Sequence, residues 1–231
     1  MTLSLQDRVF VITGGFGALG RALAAVLEGR GARVALLDRA AAPPGQTETQ
    51  HRLLLGGVDI GVEGAVQQAL AQVDQRWQRI DGLVNVAGGF AWETLADGSL
   101  GTWDRLYAMN LRSAVAASQA ALPHLKAGGR IVNIGALAAL KAAAGMGAYS
   151  ASKAGVMRFT EALAEELKDR DITVNALLPS IIDTPANRAD MPKADFARWV
   201  TPQALSQVIA FLLSDDAAAI TGACLPVSGR V

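Results

Sequence analysis

Two groups of residues carry chemistry by type and spacing. Tyr149 and Lys153 are four apart in a helical pattern, so both project from one helix face. An ammonium beside a phenol favours the tyrosinate and lowers the phenol from its usual value of about 10. Such a phenol can give a proton in reduction and take one in oxidation. Far upstream, Thr13-Gly14-Gly15-Phe16-Gly17-Ala18-Leu19-Gly20 follows an apolar run and leads into a helical pattern. Small residues at a strand-to-helix turn let the backbone approach a pyrophosphate, and the helix N-terminus offers free N–H groups. A merely flexible glycine loop has the same composition. Asp38 closes the next apolar run. A carboxylate there can accept from both hydroxyls of an adenosine ribose and repels a 2′-phosphate, which favours NAD(H) over NADP(H). Arg39 follows it and could contact a 2′-phosphate, so NADP(H) stays open. An aspartate that only caps the next turn reads the same way.

These residues need a scaffold, and the chain supplies an alternating one. Residues 8–15, 33–39, 82–88, 130–135 and 173–179 are short apolar runs rich in Val, Ile and Leu. Runs without polar alternation suit strands covered on both faces. Between them, residues 18–29, 63–80, 102–125, 149–168 and 202–214 read as helices. In 63–80 the apolar Val66, Ala69, Leu70, Val73, Trp77 and Ile80 keep to one helix face. Alternation of this kind predicts right-handed crossovers and a doubly wound, Rossmann-like α/β fold with a mainly parallel sheet. One crossover, 40–50, contains Pro43-Pro44-Gly45 and has little room for a helix.

At 231 residues and 24.0 kDa, the chain suits one domain over 1–231 with a sizeable core. Hydrophobic residues make up 51%, which excludes a disordered chain. Lys+Arg and Asp+Glu are both 21, so no basic footprint points to nucleic acid. The one cysteine, Cys224, has no partner in the chain and suits a reducing compartment, so a cytoplasmic protein is expected. It falls in the expected last strand and reads as buried. His51 and His124 sit far apart without a Cys/His cluster, so no metal is expected. The start lacks a leader pattern, and no apolar stretch is long enough to span a membrane.

Taken together and in order, these residues resemble the short-chain dehydrogenase/reductase family over nearly the whole chain. Thr13, Gly14 and Gly20 match its glycine motif TGxxxGxG, with Ala18 in place of the middle glycine. Asn85-Val86-Ala87-Gly88 is similar to its NNAG segment, and Tyr149 and Lys153 match its YxxxK pair. A YxxxK pair alone arises by chance in roughly one chain in two or three of this length, so the order and spacing of the whole set carry the resemblance. The resemblance implies that Gly14, Gly15, Phe16, Gly17, Ala18 and Leu19 line the dinucleotide. It implies that Asp38 and Arg39 meet the adenosine ribose, and Asp59 and Ile60 the adenine. Asn85, Ala87, Gly88, Tyr149, Lys153, Pro179, Ile182 and Thr184 would complete the cofactor site. Asn110 would hold a water that passes protons from Lys153, making Tyr149, Lys153 and Asn110 the catalytic set. Ser180 replaces the glycine that the family carries after its proline.

The largest departure lies 13 residues before Tyr149, where the family carries a serine and this chain has Ala136. Gly135, Ala136 and Leu137 offer no hydroxyl. Dihydropteridine reductases, a branch of the family, also carry alanine there. The branch's GGxGALG is similar to residues 14–20, and its GAxAAL to residues 135–140. Its DTPxNR…MPxADFxxW segment is similar to residues 183–199, in the loop of about 180–200 that would close the substrate pocket. Losing a donor to a developing oxyanion costs a few kcal/mol in the transition state. A quinonoid dihydropterin is conjugated and electron-poor and needs less help from such a donor. The expectation is therefore an NAD(P)H-dependent reductase of a quinonoid dihydropteridine or a similar conjugated ring. Alternatives are a general ketone, imine or quinone reductase, and a dinucleotide-binding scaffold with little catalysis. Asp183 and Arg188 could read polar edges of a pterin or pair with each other. Phe196, Trp199 and Met191 could cover a flat ring or pack as core, and Phe90 and Trp92 could line the mouth. The resemblance also implies a homodimer or tetramer, paired through helices whose alanines (Ala114, Ala117, Ala121, Ala154, Ala162) permit close packing or face the sheet.

Overall fold

Strands that are apolar at every position need cover on both faces, and helices on both sides of one sheet provide it. The computed structural model describes residues 4–62 and 64–231. Its strands are β1 (Val9–Thr13), β2 (Arg33–Asp38), β3 (Arg52–Gly56), β4 (Ile80–Asn85), β5 (Leu125–Ile134), β6 (Thr173–Pro179) and β7 (Cys224–Val227). They form one sheet in the order β3-β2-β1-β4-β5-β6-β7, and every neighbouring pair is parallel. The helices are α1 (Ala18–Glu28), α2 (Ala65–Trp77), α3 (Leu100–Tyr107), α4 (Ser113–Ala121), α5 (Gly147–Leu167), α6 (Pro185–Asp190) and α7 (Pro202–Leu212).

Alternate strand residues feed two cores. Phe10, Ile12, Val34 and Leu36 pack with Leu23 and Leu27 of α1 and Leu205 and Ile209 of α7. Val9, Val11, Ala35 and Leu37 pack on the other face with Leu70 and Val73 of α2, Ala117 of α4 and Leu163 of α5. Chain order reverses between β1 and β4, which opens a crevice at the carboxyl ends of those strands.

The structure departs from the sequence reading in three elements. The helix expected over 102–125 is α3, a five-residue π turn at Ala108–Arg112, and α4. Ser99 starts it early by accepting the Thr102 N–H, and Pro123 ends it. The sheet gains the edge strand β3, whose half-exposed Leu53 and Leu54 gave no strand pattern. β5 begins at Leu125 rather than 130, with a register shift opposite Ile80 and Gly82. The 40–50 crossover carries no helix, as expected. Glu63, the expected start of the second helix, and residues 1–3 of the leader reading lie outside the described residues.

Candidate active site

The glycine turn is built by close approach. Gly14 has φ +63, and a Cβ on it would lie 2.9 Å from the Ala87 nitrogen. A Cβ on Gly15 would lie 2.7 Å from Leu36 Cβ, and one on Gly20 would lie 2.4 Å from the Gly14 carbonyl oxygen. The turn therefore sits tight against β2, against the segment after β4 and against the first turn of α1. Gly17 is the N-cap of α1 and brings no side-chain acceptor, so the first-turn N–H groups face the crevice uncapped. Ala18 begins the helix one residue on, a position that tolerates a methyl group. Phe16 and Leu19 bury their side chains in the core, so only their backbone can serve a ligand.

The acidic residues take structural bonds in the same region. One Asp38 carboxylate oxygen accepts the Phe16 N–H at 3.0 Å, and the other accepts the Ala40 N–H at 3.0 Å. Asp38 is thus the turn cap that the sequence left open, and it stays half-buried at the end of β2 beside the glycine turn. Arg39 is exposed next to it. The Val58 N–H donates to the Asp38 carbonyl at 3.0 Å and brings Asp59 and Ile60 to the same end of the sheet. Asp59 accepts the Gly61 N–H at 2.8 Å.

Thr13 Oγ1 accepts the Ala87 N–H at 3.2 Å and ties the ends of β1 and β4 together. Asn85 is not presented to the crevice. It is buried, and its amide donates to Asn133 Oδ1 at 2.8 Å and Ser118 Oγ at 3.1 Å. Asn133 in turn donates to Thr160 Oγ1 at 2.9 Å. Asn85 therefore joins β4 to β5, α4 and α5 rather than offering its side chain to a cofactor.

Asn110 sits in the π turn, buried. Its Oδ1 accepts the Gly89 N–H at 2.8 Å, while its Nδ2 donates to the Gly89 carbonyl at 3.1 Å and to Ser152 Oγ at 2.9 Å. The amide is engaged on both ends and clamps the post-β4 segment onto α5. Ser152 was missed in the sequence. Its only signal was its place between Tyr149 and Lys153. A Cβ on Gly88 would lie 2.7 Å from Asn110 Oδ1 and 3.3 Å from Lys153 Nζ, so glycine is needed there.

Lys153 is buried and donates to the Ile134 carbonyl at 2.8 Å. Burial pushes its ammonium down to about 8. Tyr149, one turn earlier on α5, is pushed up to about 12, also by burial. The direction is opposite to the expected lowering by the lysine: burial disfavours the phenolate, and the ammonium is turned to the Ile134 carbonyl at the end of β5. Tyr149 in this setting is a neutral phenol at neutral pH, able to donate. Ala136 is buried just past β5 and caps the single turn Leu137–Ala139.

The loop over the crevice is ordered by its own contacts. The Val200 N–H donates to the Ile181 carbonyl at 3.0 Å, and the Asp183 N–H donates to the Val200 carbonyl at 2.8 Å. Pro179 ends β6, buried, and Ser180 Oγ donates to the Ser228 carbonyl at 2.7 Å. Ile182 bridges Val200, and Thr184 caps α6 by accepting the Asn187 N–H at 3.2 Å. Asp183 and Arg188 pair with each other in a fork of 2.5 and 2.7 Å. The Arg188 guanidinium lies 4.7 Å from the Phe196 ring. Trp199 is buried as core, whereas Phe196 and Met191 are half-buried. Cys224 is half-buried and burial pushes its thiol up, in keeping with an unreactive strand residue. Among the described residues no group of His, Cys, Asp and Glu could hold a metal ion, and no helix is long and apolar enough to cross a membrane.

Known proteins are similar to this chain in sequence and fold. A family model described as short chain dehydrogenase matches residues 8–195. A 2-(S)-hydroxypropyl-CoM dehydrogenase from Xanthobacter autotrophicus is 30% identical, over 99% of this chain and 98% of its own. A cyclopentanol dehydrogenase from Comamonas testosteroni is 32% identical, over 97% of each. A crystal structure of a short-chain dehydrogenase/reductase, glucose/ribitol dehydrogenase, from Brucella melitensis superposes with a TM-score of 0.89 at 28% identity, covering 99% of this chain and 98% of that one.

Proposed function

Since the chain belongs to the short-chain dehydrogenase/reductase family and is an oxidoreductase, we propose that it uses NADH to reduce a conjugated, electron-poor ring, most concretely a quinonoid dihydropteridine. Ala136 carries this reading: the donor that would polarise a simple carbonyl is replaced by a buried methyl group, while Asn110, Tyr149 and Lys153 are intact. The similarity of residues 183–199 to the dihydropteridine reductase loop supports it further.

The family binds NAD(P)(H), and the residues present fit a dinucleotide. The glycine turn leaves no room for a Cβ at Gly14, Gly15 or Gly20, and α1 begins uncapped beside it. Gly14 through Leu19 would cradle the pyrophosphate through the backbone. Asp38 would accept from the adenosine ribose, since each oxygen keeps a second lone-pair direction after bonding Phe16 and Ala40. Asp59 and Ile60 would flank the adenine, and Ala87, Gly88, Pro179, Ile182 and Thr184 the nicotinamide half. A bound nicotinamide supplies the hydride. Tyr149 donates the proton to the reduced ring and is neutral until far above physiological pH. Lys153 holds a positive charge one turn away, and Asn110 keeps the segment after β4 at its place on α5.

A second reading is a carbonyl reductase, favoured by relatives named for alcohol substrates such as cyclopentanol. A steady-state assay separates the two. Quinonoid dihydropterin and cyclopentanone are each tested with NADH and with NADPH. Fast turnover of the pterin with NADH, and little of the ketone, is the expected result. Ketone turnover without pterin turnover replaces the proposal with the second reading. Preference for NADPH would assign the ribose site to Arg39 over Asp38.

A further inference from the structure

With alanine at 136, the orientation of Tyr149 has to come from elsewhere. Among the described residues no side chain or carbonyl hydrogen-bonds the Tyr149 hydroxyl, so packing must hold the ring. The Phe90 ring meets the Tyr149 ring edge to face, with centroids 4.9 Å apart and planes at 78°. This geometry is favoured by the ring quadrupoles over and above burial. Phe90 is itself 53% exposed, so burial alone does not fix it in place.

The backbone around Phe90 is fixed at both ends. On one side, Gly89 exchanges two hydrogen bonds with the Asn110 amide. On the other, the Trp92 indole N–H donates to the Ala144 carbonyl at 3.0 Å, and the Glu93 N–H donates to the Gly145 carbonyl at 2.8 Å. The indole lies directly on Gly145, where a Cβ would come within 2.2 Å of Trp92 Cε2. Gly145 also has φ +76, a conformation that favours glycine. Gly145 lies just ahead of α5, four residues before Tyr149. Trp92 is 62% exposed, an indole kept at the surface by a latch rather than by burial.

We propose that Phe90 and Trp92 are positioning residues for Tyr149. Trp92 latches the segment after β4 onto Ala144–Gly145, and Phe90, held between this latch and the Asn110 clamp, sets the plane of the Tyr149 ring. The pair takes over the orienting part of the role that a hydroxyl at 136 would fill, and leaves its polarising part unfilled. The proposal rests on the reading of Tyr149 as proton donor.

The chain has only two tyrosines, Tyr107 and Tyr149, so 13Cζ-tyrosine labelling gives two resonances, assigned by Tyr149→Phe. Phe90→Leu, Trp92→Phe and Trp92→Ala are compared with wild type by this spectrum and by kcat and KM with quinonoid dihydropterin and NADH. The wild type should show one sharp Tyr149 signal. Each variant should shift and broaden or split it, leave Tyr107 in place, and lower kcat by about ten-fold or more with KM for NADH unchanged. Phe90→Trp, which keeps an aromatic edge and adds no tyrosine, should restore both readouts. An unchanged Tyr149 signal in Phe90→Leu and Trp92→Phe overturns the proposal. So does a rise in substrate KM alone, which would make the two rings substrate contacts. Should Trp92→Ala fail to fold, the two variants that keep an apolar side chain of similar bulk carry the test. Full turnover by Tyr149→Phe would sink the proton-donor reading, whereas the spectrum judges the positioning independently of turnover.

Discussion

At the scale of single residues, Lys153 carries a charge into a buried setting. Its ammonium is buried and donates to the Ile134 carbonyl, and burial depresses it to about 8 from an ordinary 10.5. The unfolded chain therefore binds more protons at this site between those two values. Lys153 imposes a cost on the fold that is full below about pH 8 and fades as pH rises toward 10.5. Lys153→Met removes the cost and with it the pH dependence. Urea midpoints at pH 8 and pH 10 should show wild type gaining on the variant by on the order of 2 kcal/mol. Equal gaps at both pH values would show that the ammonium is solvated in solution. The spacing of Tyr149 and Lys153 was legible in the sequence, as was the missing hydroxyl at 136. The sense of the phenol's shift was not, because four-residue spacing puts two side chains on one face without saying that one will turn to a strand carbonyl.

At the scale of elements, the dinucleotide cradle depends on how closely α1 approaches the turn that precedes it. Gly20 is the contact point, and its absent Cβ leaves space for the Gly14 carbonyl and the Gly15 Cα. In Gly20→Ala the added methyl would lie 2.4 Å from backbone oxygen, with no flexible side chain able to yield. The helix start must then move away from the turn. NADH affinity, followed by quenching of tryptophan fluorescence, should fall at least ten-fold while the far-ultraviolet circular dichroism keeps its wild-type shape. Wild-type affinity in this variant would mean that the turn relaxes without penalty. The strand-turn-helix was legible because glycine content and apolar runs are local signals. The interruption at Ala108–Arg112 was not. Its cause is a buried amide that must reach Gly89 and Ser152 at once, a demand set by two other elements. β3 escaped notice for a related reason: an edge strand with half-exposed leucines is specified by its pairing with β2 more than by its own pattern.

At the scale of the whole molecule, both faces of the sheet are already covered, and this limits what remains for association. Ala114, Ala117 and Ala121 are buried within the chain, so the alanines of α4 serve the internal core and not a neighbour. What α3 and α4 turn outward instead is Trp103, Tyr107 and Val115, each four or eight residues from the next and each more than a third exposed. Trp103 lies against Gly147 and Leu111 against Gly155, so this stripe runs beside α5 and forms one surface with it. The mainly parallel, doubly wound sheet was foreseeable from alternating strands and helices, but the outward face of a helix is read only once its inward face is known. Pairing of two copies through this stripe would remove Tyr107 from water and place any charge there in an apolar contact. Sedimentation velocity should therefore show wild-type chains as dimers or tetramers and Tyr107→Glu as a smaller species, with NADH binding retained because the stripe lies outside the glycine turn. A Tyr107→Glu protein that sediments like wild type would move the interface to another face, and a monomeric wild type would remove it.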